Sequence, residues 1–149
     1  MLKIVPLFAV IAAFFVSPVA AEELTWRKDV QPMLEQRCLD CHGSDTPEYN
    51  DWRLLGDKRK EVGSRMDTYP HFMSYVVWPA TGAMIRRLDD QKPGNMCEYL
   101  GDDDAERLKN LKMLRDWLGE GAWNLNRWQE RDGVPGITKE QLEMIKAKY

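Results

Sequence analysis

Histidine and cysteine are scarce in this 149-residue chain, with two of the first and three of the second. Three cysteines cannot all pair with one another, so the disulfide framework of small secreted domains is excluded on arithmetic. An excess of basic charge is also missing: 21 Lys and Arg face 24 Asp and Glu, interspersed along the chain, for a net charge of -3. That balance gives no electrostatic footprint for nucleic acid. Neither internal repeats nor low-complexity segments occur, and no sustained period-two pattern rich in β-branched residues predicts a strand-dominated fold. The apolar run at positions 4–16 has about 13 residues, well short of the roughly 20 that cross a bilayer as a helix.

That short run has another use. Lys3 precedes it, and Ser17-Pro18-Val19-Ala20-Ala21 follows it, ahead of the acidic pair Glu22-Glu23. A basic start, an apolar centre and small residues at the end make a secretory signal peptide over 1–21. The mature chain is then expected to be one domain, 22–149, in the periplasm or an equivalent extracytoplasmic compartment. Its length of about 128 residues is enough to bury a sizeable core.

The helical pattern is coarse but continuous. Asp29 is the expected N-cap of a first helix through Val30, Gln31, Pro32, Met33, Leu34 and Arg37, with Pro32 in the first turn, where a missing N–H does little harm. Asp103-Asp104-Ala105-Glu106 has the spacing of a capping box, and Leu108, Leu111, Leu114 and Leu118 recur at three and four residues before Gly119 and Gly121 stop the helix. Thr138-Lys139-Glu140-Gln141 opens a last short helix, with Leu142 and Ile145 on one side. Shorter helices are expected after Asp67 and over 81–88. The fold class is all-α.

The first helix runs into Cys38-Leu39-Asp40-Cys41-His42, a C-x-x-C-H pattern. Two thiols three residues apart reach the two vinyl groups of one porphyrin as thioethers, and the next residue sets an imidazole under the iron. The same C-x-x-C as half of a zinc site needs a second ligand pair, and only Cys97 and His71 remain. A redox dithiol needs a βαβ context that is absent here. One covalently attached haem c is therefore expected, on Cys38 and Cys41, with His42 as axial ligand. On residues 29–43 and the amphipathic helix from Asp103 to Leu118, the chain resembles small monohaem c-type cytochromes. The resemblance implies a cytochrome c-like helical domain in which the later helix packs across the first.

The second axial ligand is open among several side chains. Met96 would raise the potential as a thioether, Cys97 would favour ferric iron as a thiolate, and His71 would give a bis-histidine haem. Met84, in Thr81-Gly82-Ala83-Met84, reads as a core residue at the start of a helix. An unpaired thiol in an oxidising compartment is a liability unless it is used. The segment Gly94-Asn95-Met96-Cys97-Glu98-Tyr99-Leu100-Gly101, with Cys38, Cys41 and His42, resembles the NaxLS cytochromes of anaerobic ammonium-oxidising bacteria. That narrower resemblance implies His42 and Cys97 as axial ligands, with Met96 the alternative. It also implies a low-potential haem that binds nitric oxide or carbon monoxide when ferrous, and a heterodimer with a second small c-type subunit. The competing expectation is a His/Met carrier serving redox partner proteins, or a redox subunit of a larger complex. No cluster of acids and bases marks the chain as an enzyme. The six tryptophans are expected in the core or against the haem, and Arg53, Arg65, Arg86 and Arg87 on a solvated face or beside propionates. If the attachment is covalent, acid extraction of the denatured protein is expected to leave the haem on the polypeptide; release of all of it would refute the assignment.

Overall fold

The structure, a computed structural model, describes residues 22–77, 79–88, 96–120 and 139–149. The signal-peptide segment 1–21, the turn at 92–95, Gly121, the 132–136 cluster, Thr138 with its capping box, Trp78, Trp123 and Trp128 lie outside them, as does the side chain of Leu142. Among the described residues every regular element is helical. None of these helices is long and apolar enough to cross a membrane.

The first helix starts four residues earlier than Asp29 suggests. Thr25 is the N-cap of a π turn, Trp26–Val30, that passes directly into α1, Gln31–Arg37. The Thr25 hydroxyl accepts the Lys28 N–H at 3.3 Å, and the Asp29 carboxylate accepts the Thr25 N–H at 2.7 Å, so Asp29 closes the cap rather than forming it. Pro32 explains the wide turn, because its ring leaves no room for the carbonyl four residues back and it has no N–H to donate. The earlier start also buries Trp26.

Next come α2, Leu39–His42; α3, Tyr49–Leu54; a 3₁₀ turn, Gly56–Lys60; α4, Tyr69–Met73; and α5, Ala83–Leu88. A second 3₁₀ turn, Met96–Leu100, precedes α6, Asp104–Leu118, and α7 is Lys139–Glu143. Asp103 caps α6 as its spacing predicts, accepting the Glu106 N–H at 2.8 Å, while Glu106 reaches back to the Asp102 N–H at 2.9 Å, one residue earlier than the usual reciprocal bond. Leu111, Leu114, Trp117 and Leu118 form its buried stripe; Leu108, expected there, is 58% exposed because the stripe starts one turn later. Gly119, at φ 88°, ends the helix in a conformation that favours glycine.

α6 crosses the first helix, as the cytochrome-like arrangement requires. At one end Trp117 lies 5.9 Å from Trp26 and 5.8 Å from Phe72, ring centre to ring centre. At the other, the Arg37 guanidinium meets Asp102 and Glu106, each at 2.6 Å. The chain end straps the aromatic side. Lys146 and Ala147 donate their N–H groups to Leu118 and Trp117 carbonyls at 2.9 and 2.8 Å, and the Lys148 carbonyl accepts from both the Trp26 N–H and the Trp117 indole. Carbonyls that a helix end leaves without partners are thereby satisfied. Trp117 is 1% exposed. Trp117→Ala is expected to cost about 3–5 kcal/mol of unfolding free energy, read by denaturant titration.

Candidate functional site

α1 hands the chain to α2 through Cys38, whose N–H still donates to the Leu34 carbonyl at 2.8 Å. The Cys38 carbonyl then accepts from both Cys41 and His42, at 3.1 and 2.9 Å, so one helical turn contains the whole C-x-x-C-H pattern. Residues three apart on a helix share a face. Both sulfurs are therefore presented on one side of the turn, Cys38 half-buried and Cys41 exposed. Burial, with Cys41 adding to it, pushes the Cys38 thiol up to about 11.

His42 is oriented by the segment 63–66, which sequence reading did not single out. Its Nδ1 lies 2.7 Å from the Ser64 carbonyl oxygen. A carbonyl only accepts, so Nδ1 carries the proton and Nε2 keeps the lone pair that binds a metal. The Met66 N–H donates to the His42 carbonyl at 2.9 Å, and the Arg65 N–H to the Pro47 carbonyl at 2.9 Å. Gly63 lets this segment come so close: a Cβ there would stand 1.7 Å from the Cys41 carbonyl oxygen and 3.1 Å from His42 Nδ1. Nothing in Val62-Gly63-Ser64-Arg65 betrays that role without the fold. Two thiols on one face and an adjacent imidazole locked in the metal-binding tautomer fit a covalent haem. Among the described residues no cluster of three His, Cys, Asp or Glu side chains offers another metal centre.

The candidates for the second axial position separate. His71 is engaged at both ring nitrogens, Nδ1 at 3.1 Å from Asp67 and 2.9 Å from the Thr68 hydroxyl, Nε2 at 3.5 Å from Glu48. The Arg65 guanidinium, ahead of His71, holds the Asp67 carboxyl below the usual range. Cys97 and Met96 share the 3₁₀ turn that packs on α5 and α6. Met96 is 43% exposed, whereas Cys97 is half-buried against the core. Met84 is buried at the start of α5, its N–H donating to the Tyr75 carbonyl at 3.0 Å. Of the aromatic residues, Trp26 and Trp117 are core, and Trp52 donates its indole N–H to the Val62 carbonyl at 2.8 Å, bracing α3 against the end of the 63–66 segment. Arg65 bonds Asp67, Arg53 lies over the Tyr49 ring, and Arg86 donates to the Thr81 carbonyl.

Residues 25–149 match the family of the PccH cytochrome c. A solved structure described as the monohaem cytochrome PccH from Geobacter sulfurreducens is 44% identical and superposes with a TM-score of 0.72, covering 86% of this chain and 100% of that one. No curated protein matches the chain. Gly63→Ala is expected to force the 63–66 segment away from Cys41 and sharply lower the yield of haem-loaded protein, measured as the ratio of haem absorbance to polypeptide. An unchanged ratio would show that the close approach is dispensable.

Proposed function

This chain belongs to the PccH cytochrome c family, and we infer that it works as an exported carrier of single electrons. Membership brings one covalently attached haem c, whose iron supplies the reversible one-electron chemistry. In this reading Cys38 and Cys41 provide the thioether sulfurs and Nε2 of His42 the proximal ligand. The observation that carries it is the 2.7 Å bond from His42 Nδ1 to the Ser64 carbonyl, which fixes the ring and its tautomer beside both thiols. A hydrogen bond at the far nitrogen makes an imidazole a stronger donor to a metal. Exposure of Cys41 sets this edge at the surface, where electrons enter and leave. The leader-like residues 1–21 support export to the periplasm or an equivalent compartment, where redox proteins would be the partners. A methionine thioether would complete a carrier of this kind: Met96, in the 3₁₀ turn, is the expected one, and Met84, buried in the α5 helix on which that turn packs, is the other candidate.

A second reading is favoured by the inward position of Cys97 beside an exposed Met96. There Cys97 is the distal ligand, the potential is low, and its release on reduction opens a place for nitric oxide or carbon monoxide. The likeness to NaxLS subunits, with a second small c-type subunit as partner, rests on this cysteine.

Electron paramagnetic resonance of the ferric protein and its midpoint potential separate the two. His42→Ala is expected to abolish the low-spin signal. For the carrier, Cys97→Ala leaves signal and potential unchanged while Met84→Ala or Met96→Ala alters both. If Cys97→Ala alone changes the signal and raises the potential, the thiolate reading replaces the carrier.

A further inference from the structure

Arg37, the last residue of α1, directly precedes Cys38, and its guanidinium forks between two carboxylates. Nη1 donates to Asp102 at 2.6 Å, while Nη2 donates to Glu106 at 2.6 Å and to the second Asp102 oxygen at 3.2 Å. A planar fork of this kind fixes direction as well as distance. The Arg37 side chain is only 13% exposed, and its buried Nε has no partner in hydrogen-bond geometry. Leaving a buried donor unbonded is costly, so the two carboxylates, not solvation, hold this side chain in place. The Arg37 guanidinium keeps the Asp102 carboxyl below its usual range, and the Asp102 N–H, followed by Arg37, does the same for Glu106. Both carboxylates therefore stay ionised at neutral pH.

Asp102 follows the second 3₁₀ turn, Met96–Leu100, across Gly101 alone, and that link has no slack. A Cβ at Gly101 would stand 2.7 Å from the Arg107 backbone nitrogen and 2.7 Å from Glu106 Cβ. Leu100 is buried, and its carbonyl accepts the Asn110 side-chain amide at 2.6 Å. The Glu106 carboxylate takes the Asp102 N–H at 2.9 Å. The turn is thus bonded to the head of α6 as one body, and that body carries both Met96 and Cys97. Arg37 joins it to the residue before the C-x-x-C-H motif.

We propose that Arg37 is a positioning residue for the distal ligand: by clamping Asp102 and Glu106 it holds the Met96–Leu100 turn in place relative to Cys38 and His42, and so keeps the sixth position closed to small ligands from solution. This rests on the reading in which His42 is the proximal ligand and the turn supplies the distal one. Arg37 ligates nothing and acts through the turn. A tethered ligand outcompetes a free one through its effective concentration, which falls when the tether loosens. Loosening the clamp therefore favours a competitor from solution over the protein's own side chain.

The test is an absorption titration of the ferric, haem-loaded protein with imidazole, alongside a denaturant titration of each variant. Arg37→Gln, and separately Asp102→Ala combined with Glu106→Gln, which keeps an acceptor for the Asp102 N–H, are each expected to tighten imidazole binding roughly tenfold, a common size for coupling between sites. Combining all three substitutions should go no further than either set, since the three side chains act as one unit. Trp117→Phe, at the other contact between α6 and the first helix, is expected to lower the denaturant midpoint and leave imidazole affinity at the wild-type value. Unchanged affinity in the clamp variants, additive effects on combination, or an equal rise with Trp117→Phe would overturn the proposal. Should Arg37→Gln fail to load haem, the carboxylate variant against Trp117→Phe decides alone. Met96→Ala and Cys97→Ala test the underlying reading. If neither alters the ferric spectrum, the turn supplies no ligand and the proposal falls with that reading; if one does, and the clamp variants bind imidazole as the wild type does, the proposal alone falls.

Discussion

The crossing of α6 over the first helix is the constraint from which the rest of the arrangement follows. It is held at two points, the Trp26–Trp117 contact and the Arg37 ion pairs with Asp102 and Glu106. Trp26 and Arg37 are eleven residues apart, as are Glu106 and Trp117. At about 1.5 Å per helical residue each interval is roughly 16 Å, so two antiparallel helices meet at both ends without slipping. Exposed ion pairs contribute little to stability; here the pair's value is register, since Arg37 is the residue before Cys38.

Fixing Arg37 fixes where the cysteines start. α2 adds one turn, and that turn has few apolar contacts of its own: Cys41 is exposed, and Cys38 and Leu39 are only partly buried. Directional bonds do the remaining work. The 63–66 segment meets the motif through a carbonyl on His42 Nδ1, an N–H on the His42 carbonyl and a glycine against Cys41. Apolar burial is non-directional and would not choose between the two ring nitrogens. A hydrogen bond does.

How much of this was legible follows from the range of each interaction. The C-x-x-C-H pattern is local and stands in five consecutive residues, so Cys38, Cys41 and His42 could be named without a fold. The Asp103 cap and the stripe Leu111, Leu114, Leu118 are legible for the same reason, being periodic within one helix. The Asp29 reading misplaced the first cap because Thr25 and Asp29 each satisfy the sequence rule and only burial of Trp26 decides between them. Ser64 was invisible: its role depends on a backbone contact about twenty residues from the motif, and Gly63 matters only because Cys41 lies against it. Cys97 and Met96 are neighbours in sequence, and nothing short of the packed 3₁₀ turn separates the half-buried one from the exposed one.

Apolar burial and directional bonding thus occupy different ends of the molecule. The side chains most completely withdrawn from water, among them Trp117, Phe72, Leu114, Leu118 and Val30, gather where α6 meets the first helix and the terminal strap. The motif lies beyond that core, at the end of α1, with Cys41 exposed. A carrier needs this separation. Electrons cross only short gaps to an accessible edge, while the ligand set must not rearrange each time the charge changes. A rigid aromatic core at one end resists rearrangement, and the bonded segment at the other transmits that rigidity to the imidazole, leaving the cysteine edge exposed.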